Sequence, residues 1–171
     1  MVAGTPQEDI AMIIGVTGHQ HLQDPTKWAW VEHQIRSVVN VTKDLIGVTS
    51  LAVGADSLFA NIVLECGGKL YVVIPFQGYA LEFTENEDGI KYKQLLAMAD
   101  KIEIRKALGS KEQAYYDAGK HLVNISESII AVWDGKPAAG LGGTGDIVKY
   151  TKQSGKIVYH INPETGVAKY I

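Results

Sequence analysis

Cysteine is nearly absent from this chain of 171 residues: Cys66 stands alone, which excludes an internal disulfide and suits a reducing compartment. It lies within a helical pattern and reads as a small core residue. Long apolar runs are missing too, and nothing approaches the roughly 20 residues that a helix needs to cross a bilayer. Met1 to Asp9 is polar and lacks a basic start followed by an apolar run, so no secretory signal is expected and the predicted location is cytoplasmic. Basic clusters are also lacking. With 16 Lys and Arg against 19 Asp and Glu, the net charge of -3 argues against a nucleic-acid partner. No Gly-x-Ser-x-Gly elbow is present, which leaves a serine nucleophile without support. The first strand exit reads Gly15-x-x-Gly18 rather than Gly-x-Gly-x-x-Gly, so a hydride-transferring dehydrogenase is not expected. No repeat or low-complexity tract interrupts the chain.

What the sequence does hold is enough apolar material, 46%, to bury a core. Residues 1–171 read as a single domain in which 1–9 form a loose tail. Continuous apolar runs at Ala11–Val16, Val48–Val53, Leu70–Ile74 and Ile129–Trp133 read as strands covered on both faces. Lys156–Ile161 supplies a further strand, and Asn162 to Ile171 a short extra element. Between the strands, apolar residues recur at helical spacing. Trp28, Val31, Ile35 and Val38 follow an Asp24-Pro25 start, and Leu58, Ile62 and Cys66 precede a Gly67-Gly68 stop. Lys101–Arg105 alternates charged and apolar residues, as an edge strand does. Alternating strands and helices predict an α/β fold: a three-layer Rossmann-like sandwich with a mostly parallel sheet. Counting strands in chain order, crossovers predict the order 4-3-2-1-5-6, with the reversal between the first and fifth strands.

Ligands of open α/β sheets bind beyond the carboxyl ends of the strands at such a reversal. Three loops of small residues converge there: Thr17-Gly18-His19, Gly54-Ala55-Asp56, and the glycine cluster Gly140 to Gly145 after Ile129–Trp133. The cluster opens a helix, whose free N–H groups and dipole favour an anion such as phosphate. It reads as a phosphate cradle made by Gly142, Gly143, Thr144 and Gly145, or as a flexible connection. Thr17 and Gly18 form the opposite wall or a tight strand exit. His19 reads as a histidine that hydrogen-bonds phosphate or loop backbone, and Lys136 as a phosphate-neutralising or a solvated lysine. Asp56 reads as an acceptor for a ribose hydroxyl or as a helix cap. Tyr79 and Phe83 cover the pocket or pack beside it. His19-x-His21 has no Cys, Asp or Glu at ligand spacing, so no metal is expected.

Gly15-Val16-Thr17-Gly18-His19, Gly54-Ala55-Asp56, and Trp133-Asp134-Gly135-Lys136-Pro137 followed by Gly142-Gly143-Thr144-Gly145-Asp146 resemble the SLOG superfamily. This group contains Rossmann-like domains akin to DNA-processing protein A and the Lonely Guy enzymes. The resemblance spans about Ile10 to Ile161 and implies a nucleotide or nucleotide-derived ligand at the glycine-rich loop; no cofactor beyond that ligand is assigned. It also implies a homodimer. The resulting expectation is a nucleotide binder, of sensor type. The alternative is a phosphoribohydrolase that cleaves the N-glycosidic bond of a nucleoside monophosphate; a DNA-handling module comes third. The Lonely Guy loop reads Pro-Gly-Gly-x-Gly-Thr-x-x-Glu. Here its proline falls on Leu141, its glycines on Gly142, Gly143 and Gly145, its threonine on Asp146 and its glutamate on Lys149. A lysine cannot serve as a carboxylate. The catalytic candidates left are Asp146 and Asp56.

Overall fold

Unbroken apolar runs become inner strands, and amphipathic stretches become the helices that cover them. The computed structural model describes residues 11–171, so the tail expected over residues 1–9 lies outside the described residues. Its elements are β1 (Ile13–Gly18), α1 (Trp28–Val39), β2 (Ile46–Thr49), α2 (Ala55–Glu65), β3 (Lys69–Ile74) and α3 (Glu87–Ala97). There follow β4 (Lys101–Ile104), α4 (Lys111–Ile125), β5 (Ser128–Val132), α5 (Thr144–Gln153), β6 (Ile157–Asn162) and β7 (Val167–Tyr170).

The strands form one sheet in the order β4-β3-β2-β1-β5-β6-β7. All neighbours pair in parallel except β6 and β7, which are antiparallel. The expected order and its reversal between β1 and β5 are therefore present, with β7 added at the β6 edge. On one face, Ile14, Val16, Ile130 and Val132 pack under Val31 and Ile35 of α1 and Phe59, Ile62 and Val63 of α2. Farther along that face, Leu70, Val72 and Ile74 meet Tyr92 and Leu95 of α3. On the other face, Val48, Val73 and Ile129 lie beneath Ala118 and Leu122 of α4 and Ile147 of α5. This makes three layers, as the alternation of elements predicts.

Three local expectations need correction. β2 ends at Thr49 rather than Val53, because Leu51 turns left-handed at φ 57 and Asp56 takes the N–H groups of Ser50 and Ala52. Asp24-Pro25 starts a 3-10 turn, Pro25–Lys27, ahead of α1, with Asp24 Oδ1 accepting from Thr26 N–H at 3.0 Å. Cys66 is exposed at the end of α2, not part of the core, since Gly67 at φ +78 stops the helix there.

β4 is an edge strand, as its alternation predicts. Glu103 turns toward α4 and accepts hydrogen bonds from Tyr71, Arg105 and His121. The Tyr71 hydroxyl first, then Arg105 and His121, hold its carboxyl down at about 2. Ile102 and Ile104 stay exposed on the opposite side of the strand. No described helix is long and apolar enough to cross a membrane.

Candidate functional site

β1 runs into Thr17-Gly18-His19 with little room to spare. A Cβ on Gly18 would lie 2.6 Å from the Ala55 Cβ. The two exit loops are locked backbone to backbone, since Ala55 N–H donates to the His19 carbonyl at 3.1 Å. Gly54 sits at φ +86, and a side chain there would strike the Gln20 and His19 carbonyl oxygens. Gly54 and Ala55 thus hold the β1 exit in place.

His19 joins that exit to the β5 exit. Its N–H donates to the Val132 carbonyl at 3.0 Å, and its Nε2 accepts from Asp134 N–H at 3.0 Å. A nitrogen that accepts carries no proton, so the 3.4 Å approach of Asp134 Oδ1 to Nε2 is not an ion pair in this tautomer. Asp134 also accepts from Lys136 N–H at 2.9 Å. Burial pushes the Asp134 carboxyl up, but the Lys136 N–H and the Lys136 ammonium 4.0 Å away draw it below the usual range. The turn is braced from β6, where His160 Nε2 meets the Trp133 carbonyl at 2.8 Å and Asn162 Nδ2 donates to the Asp134 carbonyl at 3.3 Å. The Lys136 ammonium is paired with Glu164 at 3.1 Å.

The glycine-rich segment folds on itself. Gly142 has φ +83, and a Cβ there would lie 2.8 Å from the Tyr116 backbone nitrogen of α4. Its N–H donates to Asp146 Oδ2 at 3.0 Å, while Gly143 N–H donates to the Gly140 carbonyl at 3.2 Å. These glycines therefore serve the close packing of the loop. The N–H groups of Thr144 and Gly145, which open α5, have no protein acceptor among the described residues; nor has the Thr144 hydroxyl a partner there.

At the β2 exit, Asp56 Oδ2 accepts from Ser50 and Ala52 N–H at 3.3 Å each. Burial pushes its carboxyl up to about 7, against the lowering by those two N–H groups and by Thr49. Beyond β3, Tyr79 packs edge-on against Phe83 at 5.3 Å and against Tyr115 of α4 at 6.3 Å. Burial, and next the Asp56 charge, raise the Tyr79 phenol far above its ordinary value.

These parts enclose a cleft of about 750 Å³ above the reversal of strand order, with Tyr79, Phe83 and Tyr115 at one end and the glycine segment at the other. That is the volume of a small-molecule site. No described group of three or more His, Cys, Asp or Glu is arranged to hold a metal.

No family model and no curated protein matches the chain. Solved structures do. DNA processing protein A from Streptococcus pneumoniae aligns at TM-score 0.63 and 18% identity, over 87% of this chain and 50% of that one. The same protein from Helicobacter pylori, described for its single-stranded DNA binding mode, aligns at TM-score 0.62 and 14% identity, over 87% and 64%. The molybdenum cofactor binding protein from Rippkaea orientalis aligns at TM-score 0.54 and 20% identity, over 89% and 77%. The chain shares the fold of these proteins. At such identities the likeness is one of fold, and the chain spans only half to two thirds of the two DNA processing proteins.

Within this fold, Thr17, Gly18, His19, Asp56, Lys136, Gly142, Gly143, Thr144 and Gly145 line the cleft. Gly54, Ala55 and Asp146 are not among its lining residues. The first two lock the loops, and Asp146 ties down Gly142. Lys149, where the Lonely Guy motif has glutamate, is exposed away from the cleft. Asp134 lines the cleft as well, and its place between Trp133 and Gly135 carries no local signal of that. No local signal marks Tyr115 of α4 as a cleft residue. Ser50 and Ala52 lay hidden in what read as a longer strand.

Proposed function

We propose that this protein binds a nucleotide or nucleotide-derived small molecule in the cleft, as a binder of sensor type without catalysis of its own. One observation carries the reading: the N–H groups of Thr144 and Gly145, without a partner among the described residues, open α5 at the edge of a cleft of about 750 Å³. Two free N–H groups at the positive end of a helix favour a phosphate, and the Thr144 hydroxyl offers a further donor. Thr17, Gly18 and His19 form the facing wall. The molybdenum cofactor binding protein of like fold is a small-molecule binder by its description, which is consistent with this assignment.

A hydrolase has less support, because Asp146 is turned to Gly142 N–H and Lys149 points away. Asp56 alone keeps that alternative open, as a carboxyl in the cleft that titrates near neutrality. Single-stranded DNA, which a protein of like fold binds, is disfavoured by the net charge of -3 and by Glu82, Asp88 and Asp134 along the cleft. A homodimer is what the resemblance leads us to expect, and light scattering on a sizing column measures it.

The test is a thermal-shift series with AMP, ATP, NAD and ADP-ribose, followed by chromatography for free base. Stabilisation without base release supports the binder. Base release that disappears in Asp56→Asn favours the hydrolase, and no stabilisation by any of the compounds rules out both.

A further inference from the structure

Asp56 is the one carboxyl of the cleft that is almost wholly withdrawn from water, at 7% exposure. Its two oxygens have different surroundings. Oδ2 accepts the N–H groups of Ser50 and Ala52. Thr49 lies beside the carboxyl, but its hydroxyl donates to the Asp56 backbone carbonyl at 3.5 Å. Oδ1 has no hydrogen-bond partner among the described residues. Every fully enclosed side-chain polar atom there does have one, so Oδ1 opens onto the cleft.

No described cation pairs with Asp56. Of the titratable groups along the cleft, Tyr79, Glu82 and Asp88 come from the wall beyond β3 and Tyr115 from α4. At the opposite end, His19 is bound as an acceptor, Asp134 is an anion and Lys136 is paired with Glu164. A buried carboxylate with two neutral hydrogen bonds to one oxygen and no cation is expensive, so such a group keeps its proton. The N–H groups occupy Oδ2 as an acceptor, which leaves Oδ1 to carry the hydrogen.

We propose that Asp56 is the specificity-determining residue of the cleft, presenting Oδ1 as a hydrogen-bond donor to an acceptor atom on the planar ring of a phosphorylated heterocycle. The inference rests on the phosphate reading of the glycine segment and adds the opposite end of the ligand. The ring lies toward Tyr79, Phe83 and Tyr115, the aromatic end of the same cleft. Such a ligand binds with the proton in place, and the upward displacement of the Asp56 carboxyl to about 7 puts that requirement in the neutral range.

The test is calorimetric titration of the whole protein with AMP, GMP and ribose 5-phosphate at pH 6, 7 and 8, beside Asp56→Asn. The amide keeps a donor at Oδ1 and an acceptor at Oδ2 but cannot ionise, so it cancels the titration of the ligand's own phosphate. The nucleotide affinity of the wild type, divided by that of Asp56→Asn, is expected to fall about tenfold from pH 6 to pH 8. At least one nucleotide is expected to bind more tightly than ribose 5-phosphate. A ratio that is flat or rises with pH overturns the donor assignment. Equal affinity for ribose 5-phosphate and the nucleotides overturns it while leaving the phosphate reading intact, and no binding of any probe removes both. Should Asp56→Asn fail to fold, proton uptake by the wild type at pH 7.5, read in buffers of different ionisation enthalpy, decides the matter. Uptake supports the donor; release or no exchange overturns it.

Discussion

A single carboxyl gives this protein a pH dependence of its own. Asp56 titrates at about 7 in the folded chain against an ordinary 3.8, so the folded state holds that proton more tightly than the unfolded state does. The stability linked to it is complete below pH 4 and is lost as pH rises toward 7. Urea melts should therefore show the wild type losing roughly 2–3 kcal/mol between pH 5 and pH 8 through this group, a loss that Asp56→Asn lacks. The sequence offered Asp56 as a ribose acceptor or a helix cap. The structure gives the N-cap to Gly54 and turns the carboxyl back onto Ser50 and Ala52. That choice was illegible because it depends on Leu51 turning left-handed, which nothing in an apolar run announces. Gly142 was legible as a special position, but for a different reason. Its glycine is required by φ +83 and by the Tyr116 backbone 2.8 Å from a Cβ. Gly142→Ala should destabilise by about 1–3 kcal/mol in the same melts, before any ligand is added.

Among the elements, β4 declared itself through its alternation of charged and apolar residues. Its anchoring did not, because Tyr71 and His121 reach Glu103 from other elements. Glu103 titrates at about 2, so its contribution is present above pH 4.5 and is lost as pH falls toward 2. Glu103→Gln should cost roughly 1–2 kcal/mol at pH 7, with the difference from wild type closing in acid. The end of α4 is held by a long-range contact as well. Lys156 Nζ, arriving at the start of β6, donates to the carbonyls of Val123, Asn124 and Ser126 at 2.7, 2.9 and 2.6 Å. A cation suits a helix C-terminus. Lys156→Met should lower stability by roughly 1–3 kcal/mol, and chemical denaturation measures it.

For the molecule as a whole, strand order was readable because parallel crossovers leave few topologies. β7 was the least legible strand, since its four residues pair only with β6 after a turn that folds the chain back. The cleft was half legible. Glycine and threonine at strand exits mark one end of it, while the wall of Tyr79, Phe83 and Tyr115 forms only when α3 and α4 pack on opposite faces of the sheet. A ligand at 100 times its dissociation constant stabilises by about 2.7 kcal/mol. The AMP arm of the thermal-shift series should therefore raise the melting temperature by roughly 5–10 °C if AMP binds at that level. The two walls also differ in how their backbones are held. Ala55 N–H is locked into the His19 carbonyl, whereas the N–H groups of Thr144 and Gly145 have no acceptor among the described residues. In deuterated solvent, Thr144 and Gly145 should take up label within seconds while Ala55 stays protonated far longer. A phosphate docked at the start of α5 would slow those two amides selectively, so the chain carries its own isotope-readable gauge of occupancy.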